Sequence, residues 1–178
     1  MKTLLAVALS LAVVGAACAT APKTQEQRNA LLAEAELAVE AFKQQDATLK
    51  TFFEDAAGWA VLPTVGKGGA GIGGAYGKGV VFAGGEFLGY CDMTQASFGF
   101  QFGGQAYSQI VFFKSEDALS RFTAGNFEFS AQVSAVAATA GIAASTDYVN
   151  GMAVFTLAKG GLMYEATVAG QKFDYVAK

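Results

Sequence analysis

The chain has 178 residues, of which 53% are hydrophobic and 15% charged, and its formal net charge is −3. This length suits a single domain with one core, and the acidic balance excludes the basic field on which nucleic-acid binding depends. The absence of histidine excludes His-based catalytic triads and His-containing zinc sites, and two cysteines are too few for a zinc site of four thiolates, so we expect no metal or cofactor.

The first residues predict an export signal. A lysine precedes the apolar segment Thr3 to Val14, and small residues follow it. Cys18, directly after Gly-Ala-Ala, resembles the acylated cysteine of bacterial lipoproteins. We therefore predict a lipoprotein signal peptide over residues 1–17, a tether over residues 18–23 and one domain over residues 24–178, with Cys18 as the lipidation site.

An ordinary secretory signal is the alternative, cut after an Ala-x-Ala motif at residues 17–19 or 19–21. Acylation of Cys18 leaves Cys91 without a disulfide partner, whereas a free Cys18 could bridge to Cys91 in an oxidising compartment. Removal of residues 1–17 leaves 11 basic and 15 acidic residues, a formal charge of −4, so any contact with anionic lipid must be local.

Residues Thr24 to Gln45 predict an amphipathic helix. The Thr24-Gln25-Glu26-Gln27 segment matches a capping box. Apolar residues recur on one stripe, at Leu31, Leu32, Ala35, Ala38, Val39 and Phe42. We expect the stripe to pack on a sheet. A helix lying on a membrane is the alternative, but the polar face mixes acids and bases where such helices favour Lys and Arg.

Glycines dominate the stretch from Gly66 to Gln105, which holds 14 of the 22 glycines interleaved with aromatic and β-branched residues. This mixture is typical of strongly curved strands rather than of a flexible linker. After a short helical turn at Leu49 to Gly58, we predict strands at Trp59 to Pro63, Ala70 to Tyr76, Gly79 to Ala83 and Ala96 to Gly103. Proline ends the first of these, and Gly77-Lys78 forms a hairpin between the second and third.

The second half of the chain predicts further strands around one helix. Ser115 is a natural N-cap and Gly125 a C-terminal stop for a short helix between them. Strands are predicted at Tyr107 to Phe113, Phe127 to Ala135 and Lys172 to Val176, and a hairpin at Met152 to Leu157 and Leu162 to Val168 turns at Lys159-Gly160-Gly161. The predicted fold class is α+β: a curved, mostly antiparallel sheet or partial barrel, covered by the N-terminal helix and the short second helix.

The sequence contains only incomplete matches to nucleotide-binding motifs. G-x-G-x-x-G occurs twice, from Gly66 and from Gly69, but neither match opens a helix, and Gly77-Lys78 is followed by Gly79 rather than by Ser or Thr. The acidic residues are scattered, and nothing in the sequence pairs them as a general acid and base. We therefore predict no catalytic residues.

Lys67, Tyr76 and Lys78 are the candidate ligand-binding residues. Two ammonium groups beside a glycine-rich backbone can meet an anionic headgroup through charge and exposed N–H donors. Two solvated turn lysines are the alternative, because lipid-binding clusters usually hold four or more basic residues.

A series of motifs runs in order from Gly58 onward: Gly58-Trp59-Ala60-Val61-Leu62-Pro63, Lys67-Gly68-Gly69, Gly71-Ile72-Gly73-Gly74, Tyr76-Gly77-Lys78-Gly79-Val80, Ser97-x-Gly99-x-Gln101-x-Gly103-x-Gln105, Ala118-Leu119-x-x-Phe122 and Gly125-x-Phe127. This series resembles the SYLF domain family, which includes a yeast actin-patch protein, SH3-containing animal proteins and bacterial single-domain lipoproteins.

The resemblance implies binding of phosphoinositides or other anionic lipids without catalysis, and actin association in eukaryotic members. For an exported bacterial protein actin is set aside. We expect a non-catalytic, lipid-binding lipoprotein of the cell envelope, tethered through its N-terminal acyl chains at the periplasmic face of the outer membrane. A structural envelope protein that acts through protein contacts is the alternative, and an unrecognised hydrolase is a third hypothesis.

Overall fold

The computed structural model describes residues 20–125, 127–129 and 136–178. The helices are α1 (Gln25–Gln45), α2 (Lys50–Asp55) and α3 (Glu116–Thr123), with single 3-10 turns at Ala47–Leu49 and Ala143–Ser145. The strands are β1 (Gly58–Ala83), β2 (Glu86–Phe113), β3 (Phe127–Phe129), β4 (Val136–Ala137) and β5 (Met152–Ala177). The predicted site Cys18 and residues 130–135 of the strand predicted at Phe127 to Ala135 lie outside the described residues.

These elements form an α+β fold, as predicted. The strands make one sheet in the order β1-β2-β5-β3, with antiparallel neighbours, and β4 pairs in parallel with β5. Across the described ranges this sheet does not close. No helix among these residues is long and apolar enough to span a bilayer.

Strand β1 doubles back on itself at Gly71, where the pairing with β2 shifts register and φ is +75°. A Cβ atom at Gly77 would lie 2.7 Å from Val65 Cγ2, and one at Gly79 would meet the carbonyl oxygen of Val61. The two halves of β1 are therefore in direct contact, at a distance that only glycine permits. Because β2 pairs with both halves of β1, and β5 with β2, the three strands bend together. The predicted curvature is confirmed.

The hairpin predicted at Gly77-Lys78 is wrong. Both residues lie within β1 and pair with Met93 and Asp92 of β2. The turn is at Gly84-Gly85, where φ is +56° and +88° and Ala83 pairs with Glu86. Positive φ at both central residues is the geometry that a two-residue hairpin loop favours, and Gly-Gly meets it without strain.

Two other predicted strand ends are also wrong. Pro63 does not stop β1, because it lies at a register shift between Leu62 and Val65, where its missing N–H is not needed. Lys159-Gly160-Gly161 is not a turn, because β5 runs without interruption from Met152 to Ala177. Lys159 is instead an extra residue of a bulge: Ala106 pairs with Gly160 and the next residue, Tyr107, pairs with Ala158.

The helices cover the sheet on its two faces. The apolar stripe of α1 buries Ala35, Ala38 and Phe42 against one face, as predicted, and Phe52 of α2 packs there on Phe112 and Phe155 with ring centroids 5.3 and 5.1 Å apart. The capping box at Thr24 is present. Helix α3 covers the other face with Ala118, Leu119 and Phe122, and it begins at the predicted N-cap Ser115.

A buried carboxylate joins the two 3-10 turns. Asp46 accepts hydrogen bonds from the backbone N–H groups of Thr48, Gly141 and Ala143 at 2.9, 3.0 and 2.9 Å, and from the Thr48 hydroxyl at 2.6 Å. Burial opposes ionisation of Asp46, but these hydrogen bonds outweigh it and hold its pKa below the ordinary value of 3.8.

Candidate functional site

The structure places the predicted ligand-binding residues on the two halves of β1. Lys67 lies on the first half and pairs with Gln105, whereas Tyr76 and Lys78 lie on the second half. All three side chains are half-buried. Lys67 and Lys78 line different clefts, so the fold gives each lysine its own surroundings.

The first of these clefts, here the N-terminal cleft, lies between the start of α1 and β1. It has a volume of about 530 Å³ and is lined by Pro22, Lys23, Gln27, Ala30, Leu31, Glu34 and Lys78. Two ammonium groups and one carboxylate therefore share it. Among the residues that line the cleft, an anion would meet one more ammonium group than carboxylate, on a chain that is acidic as a whole.

Local hydrogen bonds fix the chain at the mouth of the N-terminal cleft. Thr24 Oγ1 accepts from the N–H of Gln27 at 3.2 Å, and Gln27 Oε1 accepts from the N–H of Lys23 at 3.2 Å. Arg28 Nε donates to the carbonyl of Pro22 at 3.0 Å, and its guanidinium lies 5.7 Å from the ring centroid of Tyr90. The backbone beside Lys23 is thus held to α1 by the same residues that start the helix.

Asp92 pairs with Lys78 across the sheet, and its surroundings shift its pKa. Burial raises the pKa of Asp92, a hydrogen bond with the Thr20 side chain lowers it, and nearby Asp174 raises it further. The ammonium groups of Lys78 and Lys172 act in the opposite direction, and the net pKa lies above the usual range. The contact of Thr20 with Asp92 places the segment that precedes α1 against β2, beside Lys78.

A second cleft, here the glutamine cleft, opens at Lys67. It has a volume of about 180 Å³ and is lined by Lys67, Gln95, Gln105, Tyr107, Gln109, Thr156 and Gln171. Gln109 Nε2 donates to Gln171 Oε1 at 3.1 Å, and Gln171 Nε2 donates to Gln95 Oε1 at 3.0 Å. Gln95 and Gln109 are buried, so these amides form a polar network within the folded sheet.

The sequence did not identify the glutamine cleft as a site. Its amides come from positions far apart in the chain, 95, 109 and 171. Gln95 and Gln171 are paired between β2 and β5, whereas Gln109 pairs with Thr156 and reaches Gln171 through its side chain. The available indication was the alternation of Gln105, Tyr107 and Gln109, which places polar residues at every second position of a strand.

A third cleft, of about 440 Å³, lies beside the 3-10 turns and is lined by Thr48, Thr51, Phe52, Asp55, Ala143, Ala144, Thr146, Asp147 and Tyr148. Burial, and then the charge of Asp55, raise the pKa of Tyr148 to about 12. A phenol with this pKa stays protonated near neutral pH and is a poor nucleophile.

Reactive and metal-binding groups are scarce in the described part of the chain. Its residues contain no group of three or more Cys, Asp or Glu that could hold a metal ion. Cys91 is a buried free thiol whose pKa is raised, first by burial and then by the charge of Asp92. Cys91 lines none of the three clefts.

Residues 94–175 match the family model described as Ysc84, Las17-binding protein actin regulator. The chain is also similar to Beta cell expansion factor A of Aeromonas veronii, with 26% identity over 84 residues. This alignment covers 47% of the chain and only 32% of that relative's length. The family match includes the glutamines of the glutamine cleft but begins after Lys67, Tyr76 and Lys78.

Proposed function

We propose, from the premise that residues 94–175 belong to the Ysc84 or SYLF family, that this chain is a non-catalytic protein that binds anionic lipid headgroups. The family predicted from the glycine and aromatic motifs is confirmed by the match and by the bacterial relative. The family is described as a Las17-binding actin regulator. Lipid is the ligand that we infer for this member.

One observation carries the proposal: Lys23 and Lys78 line one cleft at the point where the N-terminal chain meets the sheet. Thr20, which contacts Asp92 beside Lys78, is two residues from the predicted lipidation site Cys18. Two residues span at most about 7 Å. An acylated Cys18 would thus hold both lysines close to the headgroups of the membrane that contains its acyl chains.

The expected attraction is modest. Each lysine near an anionic surface contributes about 1 kcal/mol, and the effect falls off within a Debye length. Glu34 and Asp92 offset part of it, because both carboxyl groups lie near Lys78. We therefore expect binding that depends on the anionic lipid content and weakens as salt is added.

Vesicle sedimentation tests this. The chain with Cys18→Ser, which removes the acylation site, is mixed with phosphatidylcholine vesicles with and without phosphatidylglycerol at low salt. Lys78→Glu and Lys23→Glu should each weaken binding to anionic vesicles by about fivefold or more, since each reverses one charge worth about 1 kcal/mol. Asp92→Asn should strengthen binding, because it removes the carboxyl group opposite Lys78.

Lys50→Glu is the matched control. It makes the same charge change on α2, where the Lys50 side chain is 77% exposed and lines none of the three clefts. Its binding should equal that of the parent chain. Equal binding by all variants, or no preference for anionic vesicles, would refute headgroup binding at this cleft. Hydrolysis of the phospholipid during the assay would refute a non-catalytic role.

Lys67→Glu separates the two lysine sites. If Lys67 acts with Lys78 on one headgroup, as the sequence suggested, a double variant with Lys67→Glu and Lys78→Glu should lose more vesicle binding than the Lys78→Glu variant does. If the double variant Lys67→Glu with Lys78→Glu loses vesicle binding and still supports envelope integrity in cells, the alternative of a structural envelope protein that works through protein contacts is favoured.

A further inference from the structure

The point where β1 doubles back exposes a small apolar surface, here the apolar tip, formed by Ala70, Gly71, Ile72 and Phe102. Ile72 is 68% exposed and Phe102 70% exposed. The two residues are neighbours on the sheet, because Ala70 pairs with Phe102 and Ile72 pairs with Phe98. Large apolar side chains thus lie in solvent at the end of the sheet that is most distant from the Gly84-Gly85 turn.

Polar side chains near the apolar tip are buried instead. Ser97, which pairs with Gly73, is fully buried, and Gln95, which pairs with Ala75, is buried in the glutamine cleft. A sheet in water normally buries its apolar face and exposes its polar face. The reversed arrangement here indicates surroundings other than water for the apolar tip.

Charge is absent from β1 and β2 around the apolar tip. No charged residue lies between Lys67 and Lys78, or between Asp92 and Lys114. The four residues from Gly71 back to Lys67 span about 13 Å of strand, close to the half-thickness of about 15 Å of a bilayer hydrocarbon core. Lys67 therefore marks the depth at which headgroups would begin.

The neighbouring strand β5 carries one charge in this region. Glu165, alone between Lys159 and Lys172, pairs with Gln101, one position along from the pairing of Tyr164 with Phe102. Successive positions of a strand belong to opposite faces of the sheet. The position of Glu165 is therefore not on the face that carries Phe102.

We propose that the apolar tip inserts into the hydrocarbon region of one membrane leaflet; this deepens the proposed function and rests on it. Backbone groups in hydrocarbon must be hydrogen-bonded within the protein. Strand β2 meets this condition because it is paired with β1 on one side and β5 on the other, whereas β1 is the outer strand of the sheet and has one unpaired edge. The insertion therefore keeps the outer edge of β1 toward the headgroups. Ile72 and Phe102 supply the apolar surface.

A bilayer fits the apolar tip better than a second copy of the chain does. One buried aromatic side chain contributes about 150–250 Å², whereas a stable protein interface needs about 800 Å² from each partner. Two exposed side chains fall well short of that area. A lipid leaflet, by contrast, needs no matching surface and accepts isolated apolar groups.

Depth-dependent quenching of fluorescence tests the insertion directly. Phe102→Trp is prepared in the Cys18→Ser chain, and Leu37→Trp, at an α1 position that is 72% exposed, is the matched control. Trp59, present in both, supplies the same background. With anionic vesicles whose acyl chains carry bromine, Trp at position 102 should be quenched and Trp at position 37 should not. Equal quenching of the two, or none at position 102 in chains that sediment with the vesicles, would overturn the insertion.

Serine substitutions provide the second readout. Ile72→Ser with Phe102→Ser should weaken vesicle binding by about tenfold for each side chain, and the loss should persist at high salt. Leu37→Ser should bind as the parent does. Lys78→Glu should lose only the salt-sensitive part, so failure of headgroup binding and failure of tip insertion give different results. If the parent chain is a dimer in the absence of vesicles and the double serine variant is a monomer, the apolar tip binds a second copy and the proposal is overturned. If the chain binds no vesicles at all, both proposals are overturned.

Discussion

Lys159 of β5 donates a hydrogen bond of 3.0 Å to the carbonyl oxygen of Pro63 in β1, across the intervening strand β2. The same ammonium group donates to Thr64 Oγ1 at 2.9 Å. Both ends of this link lie at irregularities in the strands, the bulge at Lys159 and the register shift after Leu62. Residues that look like strand breakers in the sequence therefore hold three strands together.

Lys159→Ala should lower the free energy of unfolding by about 1 kcal/mol, because it removes two partly exposed hydrogen bonds. Urea denaturation measures the difference. Lys50→Ala, which removes an exposed lysine of α2, should change stability by less than about 0.5 kcal/mol. Equal stability of the Lys159 variant and its parent would contradict a structural role for the link.

Gly79→Ala should destabilise the fold by about 1–3 kcal/mol, because the added Cβ would meet the backbone carbonyl of Val61, which cannot move without disturbing β1. Gly66→Ala is the control, since a Cβ there would meet nothing within 4 Å. Its thermal midpoint should match that of the parent. A Gly79 variant as stable as the Gly66 variant would show that the two halves of β1 are not in contact.

Asp46→Asn should lower the free energy of unfolding at neutral pH by about 1–3 kcal/mol, because the carboxylate accepts four hydrogen bonds. Its pKa in the folded state is below 3.8, so its stabilising effect is complete above that value and is lost as the pH falls through the folded-state pKa. The gap between variant and parent should therefore narrow in acid. Urea denaturation at a series of pH values measures this gap.

Glu86→Gln, at an exposed carboxylate beside the β1–β2 turn, is the control for Asp46 and should leave the stability almost unchanged. A constant gap between the Asp46 variant and its parent at all pH values would contradict a role for the ionised carboxylate.

Cys91 should resist thiol reagents in the folded protein. Its side chain is fully buried and its raised pKa keeps the thiol protonated, whereas alkylation requires an accessible thiolate. In the Cys18→Ser chain, where Cys91 is the remaining cysteine, iodoacetamide should label the protein in urea but not in buffer at neutral pH. Rapid labelling in buffer would contradict the burial of Cys91 in the core that α3 covers.

Local patterns in the sequence were sufficient for the helices. The capping box at Thr24 and Gln27, the N-cap at Ser115 and the stop at Gly125 depend on residues a few positions apart. Strand ends could not be obtained in this way. Gly77-Lys78 reads as a turn by composition, but pairing with β2 provides hydrogen bonds that outweigh its low strand propensity.

The candidate site shows the same limit. Lys78 could be named from the sequence, because a lysine beside glycines is a local feature. Lys23 joins it only because α1 packs over β1, and Gln95 meets Gln171 only through the register of β2 with β5. A one-residue change in the register of β2 with β5 would move the side chain of Gln95 or Gln171 to the other face of the sheet, and no local pattern specifies that register.

Strand β2 is paired on both sides along almost its whole length, with β1 on one edge and β5 on the other. A residue gained or lost in the middle of β2 would therefore misalign two partners together and reverse the inward and outward positions beyond it. The same change at Gly84-Gly85 would alter a solvent-exposed loop alone. Related chains should consequently vary in length at that loop, while the span of β2 stays constant.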